Sequence, residues 1–294
     1  MRYLPFSELR IRKGSITVQE NKEKETIIIR GGGDLATGVA QKFIRAGFNV
    51  LILEVNSPTA IRRSVALSEA AYDGYAKVED IECRKIKDPA EAVSCWHEGI
   101  AALVIDPDGS SISKLKPAAV IDAIIAKRNL GTTRCMADIT IALGPGFYAG
   151  KDVDAVIETL RGHELGRLIL DGYAKPDTGV PGEIAGESVG RVIRAPHQGV
   201  IVHKKKIGDI VKHGEVLFTV DNTEVCATIN GLLRGLIREG IQVNQGMKVA
   251  DIDSRTDVDW NTISDKARCL GGAALEAFFL LREEGQGRRE QSVE

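Results

Sequence analysis

A glycine-rich turn carries the sharpest chemical signal in the sequence. Gly31, Gly33 and Ala36 fit the spacing G-x-G-x-x-G/A, which is typical of dinucleotide-binding loops. In that pattern the first glycine makes the turn, the second lets a pyrophosphate approach the main chain, and the third small residue allows close helix packing. We therefore predict that an anionic ligand group binds here. The candidate binding residues of this loop are Gly31, Gly32, Gly33, Asp34, Ala36 and Thr37.

Two carboxylates near the loop bear on what it binds. Glu54 ends the next predicted strand, where a carboxylate can accept hydrogen bonds from both ribose hydroxyls and so favour NAD over NADP. Asp34 would repel a phosphate unless it caps the helix or meets a cation. The alternative is a tight turn of an α/β fold that binds nothing at this position.

Three further clusters complete the predicted site. They are Arg62 with Arg63, Lys127 with Asn129, and Gly144 with Gly146. The arginine pair can hold an anion by bidentate hydrogen bonds, although adjacent arginines more often form a solvated face. The other two clusters follow candidate core elements, where ligands bind in α/β folds, with ordinary turn chemistry as the alternative.

Asp251, Asp253 and Arg255 alternate on an extended segment, so both carboxylates can point to one face. Such a pair suits a cation or a salt bridge between domains, and we favour the bridge. The histidines lack metal-ligand spacing, and no nucleophile–base pair is recognisable. We therefore predict no metal site.

The elements around the glycine loop alternate between strand and helix. A β-branched run at 26–30 precedes the loop, apolar residues at helical spacing follow it, and an apolar run at 50–55 predicts a second buried strand. This order opens a Rossmann-like, doubly wound α/β domain, which we assign to residues 26–185. Residues 1–25 are mixed and polar, which predicts an extension outside the core.

An internal repeat marks a second domain over residues 190–255. In it, Gly199, Gly208, Val211, Gly214 and Leu217 recur as Gly231, Gly240, Val243, Gly246 and Val249. Each half predicts strand, turn and strand, so the domain is all-β with pseudo-twofold symmetry. It resembles the barrel-sandwich hybrid of biotinyl and lipoyl carriers, which bear a modifiable lysine on the hairpin between the halves. Residues 220–226 contain no lysine, so we expect no covalent biotin or lipoate.

A C-terminal amphipathic helix is predicted over residues 260–284, packing on the core. Its apolar residues, at spacings of three and four, are Ala267, Leu270, Ala274, Phe278 and Leu281. Gly271 and Gly272 interrupt it at a cost of about 1 kcal/mol each relative to alanine. Either a close backbone approach or a simple packing notch would explain them.

Composition limits the function classes. The chain has 294 residues and a net charge of −2, which disfavours nucleic-acid binding. Its 43% hydrophobic and 27% charged residues are typical of soluble globular proteins. No apolar run is long enough for a bilayer, and no signal peptide is recognisable, so we expect a cytoplasmic protein without membrane association. The five cysteines form no C-x-x-C pair, which argues against a disulfide scaffold or thiolate zinc site.

Several long motifs, in order, resemble one protein family. They are IRGGGDLATGVAQKFIRAGFNVLILE, PTAIRRSVALSEAAYDG, AKRNLGT, IALGPGFYAGKDVDAVIETLRGHELGR, DTGVPG, DIDSR and SDKAR. The sequence thereby resembles the YqeB-type accessory proteins of selenium-dependent molybdenum hydroxylases. The resemblance implies a protein that helps to mature enzymes of the xanthine dehydrogenase type, with such a hydroxylase or its cofactor machinery as partner.

Three functions remain open at this point. The preferred one is an accessory protein that binds a nucleotide or a molybdenum cofactor in a Rossmann-like crevice. The first alternative is an NAD(P)-dependent oxidoreductase, favoured by the glycine loop and Glu54 but lacking a recognisable proton donor. The second is a non-catalytic scaffold whose β domain docks the hydroxylase.

Overall fold

A computed structural model of the chain describes residues 24–180, 182 and 186–291. Except for residues 24 and 25, the predicted extension at 1–25 lies outside these ranges. The mixed α/β class is confirmed: the structure has a sheet of mainly parallel strands, several antiparallel sheets and a C-terminal helix.

The main sheet has nine strands. They are β1 (Thr26–Arg30), β2 (Asn49–Glu54), β3 (Tyr75–Val78), β4 (Ile81–Ile86), β5 (Ala101–Ile105), β6 (Ala119–Asp122), β7 (Ile139–Leu143), β9 (Ala155–Ile157) and β10 (Leu168–Ile169). Their order across the sheet is β10-β9-β7-β6-β1-β2-β5-β4-β3. The strands from β9 across to β4 are mutually parallel, and the two edge strands are antiparallel to their neighbours. A small separate ribbon joins β8 (Tyr148–Ala149) to β11 (Gly172–Tyr173).

Helices cover both faces of this sheet. They are α1 (Asp34–Arg45), α2 (Ala70–Asp73), α3 (Ala92–His97), α4 (Ser110–Leu115) and α5 (Asp265–Gln291). Because side chains alternate along a strand, Ile27 and Ile29 of β1 pack on the face covered by α1 and α5. Ile28 points to the opposite face, with residues of α3 and α4. The chain between β6 and β7 forms no α-helix, and α5 packs against β7 instead.

Glycines let α1 and α5 touch backbone to backbone. A Cβ on Gly38 would lie 2.3 Å from the Ala267 carbonyl oxygen, and a Cβ on Gly271 would lie 2.3 Å from the Gly38 carbonyl oxygen. A Cβ on Gly272 would meet nothing within 4 Å. Close backbone approach therefore explains Gly271 but not Gly272. Farther along the helices, Phe43 and Phe278 meet edge to face, with ring centroids 5.7 Å apart.

The β domain consists of two four-stranded antiparallel sheets. Its strands are β12 (Val192–Arg194), β13 (Gly199–His203), β14 (Ile210–Val211), β15 (Val216–Val220), β16 (Thr223–Cys226), β17 (Gly231–Leu236), β18 (Gln242–Val243) and β19 (Lys248–Asp253). The sheet orders are β12-β19-β17-β14 and β16-β15-β13-β18. Each half of the internal repeat thus lends its short strand, β14 or β18, to a sheet with the first strand of the other half. The buried residues between the sheets include Ile201, Leu217, Phe218, Leu233 and Val249.

Direct hydrogen bonds fix the β domain to the segment that follows β2. The Leu236 amide donates to the Ile61 carbonyl at 2.8 Å, and the Arg63 Nε donates to the Leu236 carbonyl at 2.7 Å. Arg238 forms a bidentate ion pair with Asp73. The β domain is therefore held against the parallel-sheet part by several bonds at once.

In the ranges that the structure describes, no helix has both the length and the apolar character needed to cross a bilayer.

Candidate functional site

Charged side chains are buried at the carboxyl ends of the parallel strands. Arg30 ends β1, Glu54 ends β2, Asp122 ends β6, Asp106 follows β5 and Glu158 follows β9. Ligands of α/β folds bind at this edge of the sheet. The partners of each buried group therefore decide which part of the edge remains open to a ligand.

The glycine loop is closed on its strand side by Glu54. The Gly32 amide donates to Glu54 Oε2 at 2.7 Å, and the Val55 amide donates to Oε1 at 2.8 Å. The Gly31 amide donates to the Leu53 carbonyl, and Gly31 has φ of +87°, a conformation that suits glycine. Burial raises the pKa of Glu54, which is 9% exposed, against the lowering by its two amide bonds. The side chain predicted to bind ribose thus ties the loop to β2.

The segment before α2 packs against the same loop. The Ser68 amide donates to the Gly32 carbonyl at 2.8 Å, and a Cβ on Gly32 would lie 3.0 Å from the Ser68 nitrogen. The Thr37 hydroxyl donates to the Gly33 carbonyl at 2.9 Å and accepts from the Leu67 amide at 3.0 Å. Gly32 and Thr37 therefore shape the loop rather than offer free groups to a ligand.

The first turn of α1 is open by contrast. Gly33 is the N-cap residue, with φ of −65° and ψ of −178°, and a Cβ there would meet nothing within 4 Å. The first helical hydrogen bond runs from the Thr37 amide to the Gly33 carbonyl. Within the described ranges, the amides of residues 34–36, Ala36 included, donate to no protein acceptor, as expected for a helix start. These amides can bind an anion.

A buried guanidinium lies beside this turn. Arg62 is 7% exposed, and its Nη1 lies 3.8 Å from the Asp34 carboxylate. Nη2 makes long hydrogen bonds of 3.4 and 3.5 Å to the carbonyls of Trp260 and Thr262. Its Nε has no hydrogen-bond partner among the described residues. Burial lowers the pKa of Arg62, with Asp34 as the largest opposing influence. Arg62 therefore keeps unused capacity to bind an anion.

Two lysines from other parts of the chain lie within electrostatic range of Asp34. Lys248 begins β19, and Lys266 lies in the first turn of α5. The charge of Asp34 raises the pKa of both lysines, but burial lowers it more. Lys248 nevertheless keeps 43% of its side-chain surface exposed. We call Gly33, Asp34, Arg62, Lys248 and Lys266 the basic cleft.

The carboxylates of β19 are already neutralised. Asp251 accepts hydrogen bonds from Arg191 and Arg234, and Asp253 accepts from Arg234 and Arg255. The expected bridge between domains is thus a network within the β domain. Arginines therefore bond to both carboxylates, and Asp251 also lies 3.8 Å from the Lys248 ammonium.

The remaining predicted residues make structural contacts elsewhere. Arg63 bonds to the Leu236 carbonyl, and Lys127 pairs with Asp177 at 2.6 Å. The Asn129 side chain closes its own turn by accepting from the Gly131 and Thr132 amides.

Two predicted glycines allow close packing between loops. A Cβ on Gly144 would lie 2.6 Å from the Thr159 hydroxyl, and a Cβ on Gly146 would lie 2.6 Å from the Arg128 main chain. The structure therefore brings the glycine loop, Glu54 and Arg62 together, and it assigns the clusters after β6 and β7 to turn packing.

A buried network occupies the edge between β1 and β6. Thr132 donates to Asp122 at 2.6 Å and accepts from Arg30, and Arg30 also donates to the Pro107 carbonyl at 3.0 Å. All three side chains are buried, and burial raises the pKa of Asp122. The protein itself thus fills this part of the edge.

Sequence reasoning missed Lys248 and Lys266. Lys266 lies in the motif SDKAR, which the family resemblance includes, so that motif was the one available signal. Lys248 follows a turn glycine of the repeat at an ordinary surface spacing, and its equivalent in the first half is Val216. Nothing in the local sequence distinguishes it from a solvated lysine.

Fold and site together define a mixed α/β protein with a basic cleft at the carboxyl edge of a parallel sheet. The chain is 47% identical over 262 residues to "Uncharacterized protein YqeB" of Escherichia coli (strain K12), a match that covers 89% of this chain and 48% of that protein. This similarity supports a YqeB-type family, and the chain spans about half the length of that relative. No family model matches the sequence.

The solved structures found are distant. One is the product-bound ectoine utilization protein EutE (DoeB) from Ruegeria pomeroyi, with 11% identity, 78% of this chain and 85% of that chain covered, and a TM-score of 0.24. Another is a succinylglutamatedesuccinylase/aspartoacylase from Rhodobacter sphaeroides, with 11% identity, 80% of this chain and 87% of that chain covered, and a TM-score of 0.25. Scores this low carry no argument about function.

Proposed function

We propose that this chain is a cytoplasmic accessory protein in the maturation of selenium-dependent molybdenum hydroxylases, and that it binds a phosphate-bearing ligand in the basic cleft. The ligand is a nucleotide or the pterin-phosphate part of a molybdenum cofactor. The accessory role rests on the family resemblance, whereas the binding role rests on the geometry of the cleft.

One observation carries the binding role. Arg62, buried and with an unpaired Nε, lies beside the open first turn of α1. A helix start attracts anions through its free amides and its dipole, and a guanidinium adds charge-assisted hydrogen bonds. The helix start and the Arg62 guanidinium can contact the same ligand group, because Asp34, the first residue of α1, lies 3.8 Å from Arg62.

The strand order supports a Rossmann-like domain. Leaving out the outer strands, it is β5-β2-β1-β6-β7-β9, which corresponds to the order 3-2-1-4-5-6 of dinucleotide-binding sheets. The exchange of β14 and β18 between the halves supports a barrel-sandwich hybrid for the β domain. In this arrangement α1 starts at the point where the strand order reverses.

The position of Glu54 argues against the oxidoreductase alternative. Both of its oxygens already accept main-chain hydrogen bonds, so a ribose diol would have to compete with the glycine loop for them. The ligand is therefore recognised through its phosphate, and the binding of NAD stays a prediction that the following experiment tests.

The binding role is tested with Gly33→Val. Any residue can adopt the Gly33 conformation, and the space around its Cβ is open, so the variant should fold while its side chain covers the free amides. We expect nucleotides or molybdopterin to raise the melting temperature of the wild type, and Gly33→Val to weaken binding by at least about tenfold. Gly272→Ala, another glycine with open space, is the matched control. Unchanged affinity in folded Gly33→Val would overturn the binding role.

The accessory role needs a separate test in cells. Removing this protein should leave the hydroxylase polypeptide present but lower its specific activity and its selenium content. Fully active hydroxylase in such cells would contradict the accessory role without touching the binding result.

A further inference from the structure

The start of α5 lies directly against the start of α1. The Ala267 carbonyl is in contact with Gly38, and Asp34 precedes Gly38 by one helical turn on the same face of α1. Lys266, next to Ala267, is thereby placed alongside the first turn of α1. The charge of Asp34 acts on it accordingly.

The β domain brings Lys248 to the same region, because its ion-pair partner Asp251 and the Ile61 carbonyl, next to Arg62, both lie against Gly235. Its ammonium lies 3.8 Å from Asp251, but that carboxylate is already 3.0 Å from Arg191 and 2.7 Å from Arg234. Lys266 has no ion pair within 4.0 Å in the part of the chain that the structure describes. Both ammonium groups therefore keep hydrogen-bond donors for a ligand.

Cationic side chains act on both of these lysines. Burial is the main cause that lowers the pKa of both lysines. Arg191 and Arg234 lower the pKa of Lys248 further. Arg161 and Lys248 lower the pKa of Lys266 further. Asp251 and Asp265 are paired with arginines, Asp265 in a bidentate pair with Arg161, whereas Glu158 accepts main-chain hydrogen bonds. An anion bound between the lysines would relieve this repulsion.

We propose that Lys248 and Lys266 form a second anion subsite, next to the one made by Arg62 and the first turn of α1. The ligand then carries two linked anionic groups, as a diphosphate does. This inference rests on the proposed function, since it extends the same cleft. It also gives the β domain a role as a fixed wall of the binding site, in keeping with its hydrogen bonds to the 61–63 segment.

Titration calorimetry with two inorganic probes tests the second subsite. Wild-type protein is titrated with orthophosphate and with pyrophosphate at about 0.15 M ionic strength, where long-range attraction is screened. We expect pyrophosphate to bind at least about tenfold more tightly. Lys248→Gln and Lys266→Gln should each weaken pyrophosphate binding by about tenfold and change orthophosphate binding less than about twofold, because only pyrophosphate reaches both subsites.

Control variants separate charge from structure. Lys248→Arg and Lys266→Arg should retain the pyrophosphate preference, because a cation remains. Lys212→Gln, at an exposed lysine of the same domain, should bind both probes as the wild type does. Thermal unfolding of each variant shows whether it is folded.

The outcomes distinguish this inference from the proposed function. If Gly33→Val weakens both probes while the lysine variants keep the pyrophosphate preference, the second subsite is wrong and the first stands. Equal binding of the two probes by the wild type also overturns the second subsite. If the wild type binds neither probe, both proposals fail.

Discussion

The Glu54 carboxylate is bonded through Oε2 to the Gly32 amide at 2.7 Å and through Oε1 to the Val55 amide at 2.8 Å. One side chain thereby connects the end of β2 to the turn that starts α1. Glu158 repeats this arrangement after β9, where its oxygens accept from the Leu160 and Lys175 amides. In both places a buried carboxylate satisfies main-chain donors at a strand end.

Replacement of Glu54 by glutamine should destabilise the protein. Glutamine keeps one acceptor oxygen but sets an NH₂ group against a main-chain N–H, so one donor at the loop loses its acceptor. We expect the free energy of unfolding to fall by about 1–3 kcal/mol, measured by urea denaturation. A loss of NAD affinity without a change in stability would instead restore Glu54 as a ribose ligand.

Two neighbouring glycines of α5 should respond oppositely to alanine. Gly271→Ala places a methyl group on the Gly38 carbonyl, so we expect a loss of about 1–3 kcal/mol or more. Gly272→Ala meets nothing and raises helix propensity, so we expect a gain of up to about 1 kcal/mol. Thermal unfolding of the pair measures both effects. Similar effects at the two positions would contradict the backbone contact between α1 and α5.

Asp34→Asn should strengthen anion binding in the basic cleft. The Asp34 carboxylate is the negative group nearest to Arg62, so it competes with a ligand anion for that guanidinium. We expect orthophosphate affinity to rise about two- to five-fold, which is roughly 0.4–1 kcal/mol. The helix itself should lose about 0.3–1 kcal/mol of stabilisation at its N-terminus. If Asp34→Asn instead binds orthophosphate more weakly than the wild type at every pH tested, Asp34 recruits a cation together with the ligand.

His203 should make stability depend on pH. Burial lowers the pKa of His203 below its ordinary 6.5, and its Nε2 bonds to the Ile237 carbonyl at 2.8 Å. The unfolded chain then takes up a proton at a higher pH than the folded one. The free energy of unfolding should decrease as pH falls from about 7.5 through 6.5 and become constant below the folded pKa. His203→Gln, which retains a donor for the carbonyl, should remove this part of the pH dependence in urea titrations.

The intact mass of protein from its native cells should match the sequence apart from N-terminal processing. The β15–β16 turn, at Asp221 and Asn222, offers no lysine to a biotinyl or lipoyl ligase. A mass increase by either group would refute the prediction.

Sequence patterns predicted those helices, strands and turns whose structure depends on neighbouring residues. The β-branched run of β1, the glycine turn and the apolar spacing of α1 predicted strand, loop and helix because each depends on neighbouring residues. The repeat predicted the β strands, since its turn glycines recur at fixed positions. For Gly271 and Gly272 the same reasoning left a close backbone approach and a packing notch open, and it could not name Gly38 as a partner.

Contacts between distant segments were beyond such patterns. The charge of Asp34 acts on Lys248 and Lys266 only because β19 and α5 fold back towards the first helix. The orientation of Glu54 was missed for another reason: a ribose and a main-chain amide are equally good partners for a strand-end carboxylate, and only the loop geometry decides between them. The arginines around Asp251 illustrate the same limit, because their pairing depends on the sheet register.

The backbone contact of Gly38 with Gly271 has a consequence for how the chain folds. It joins segments at opposite ends of the sequence, so its loop-closure entropy is large and its contact order is high. Until α5 docks, the apolar face of β7 is uncovered, which is the condition under which partly folded chains aggregate. We expect pulsed hydrogen exchange during refolding to protect β1 and β2 before α5. In that order of events Lys266 arrives with the last helix, so the part of the basic cleft that it forms would be completed only at the end of folding.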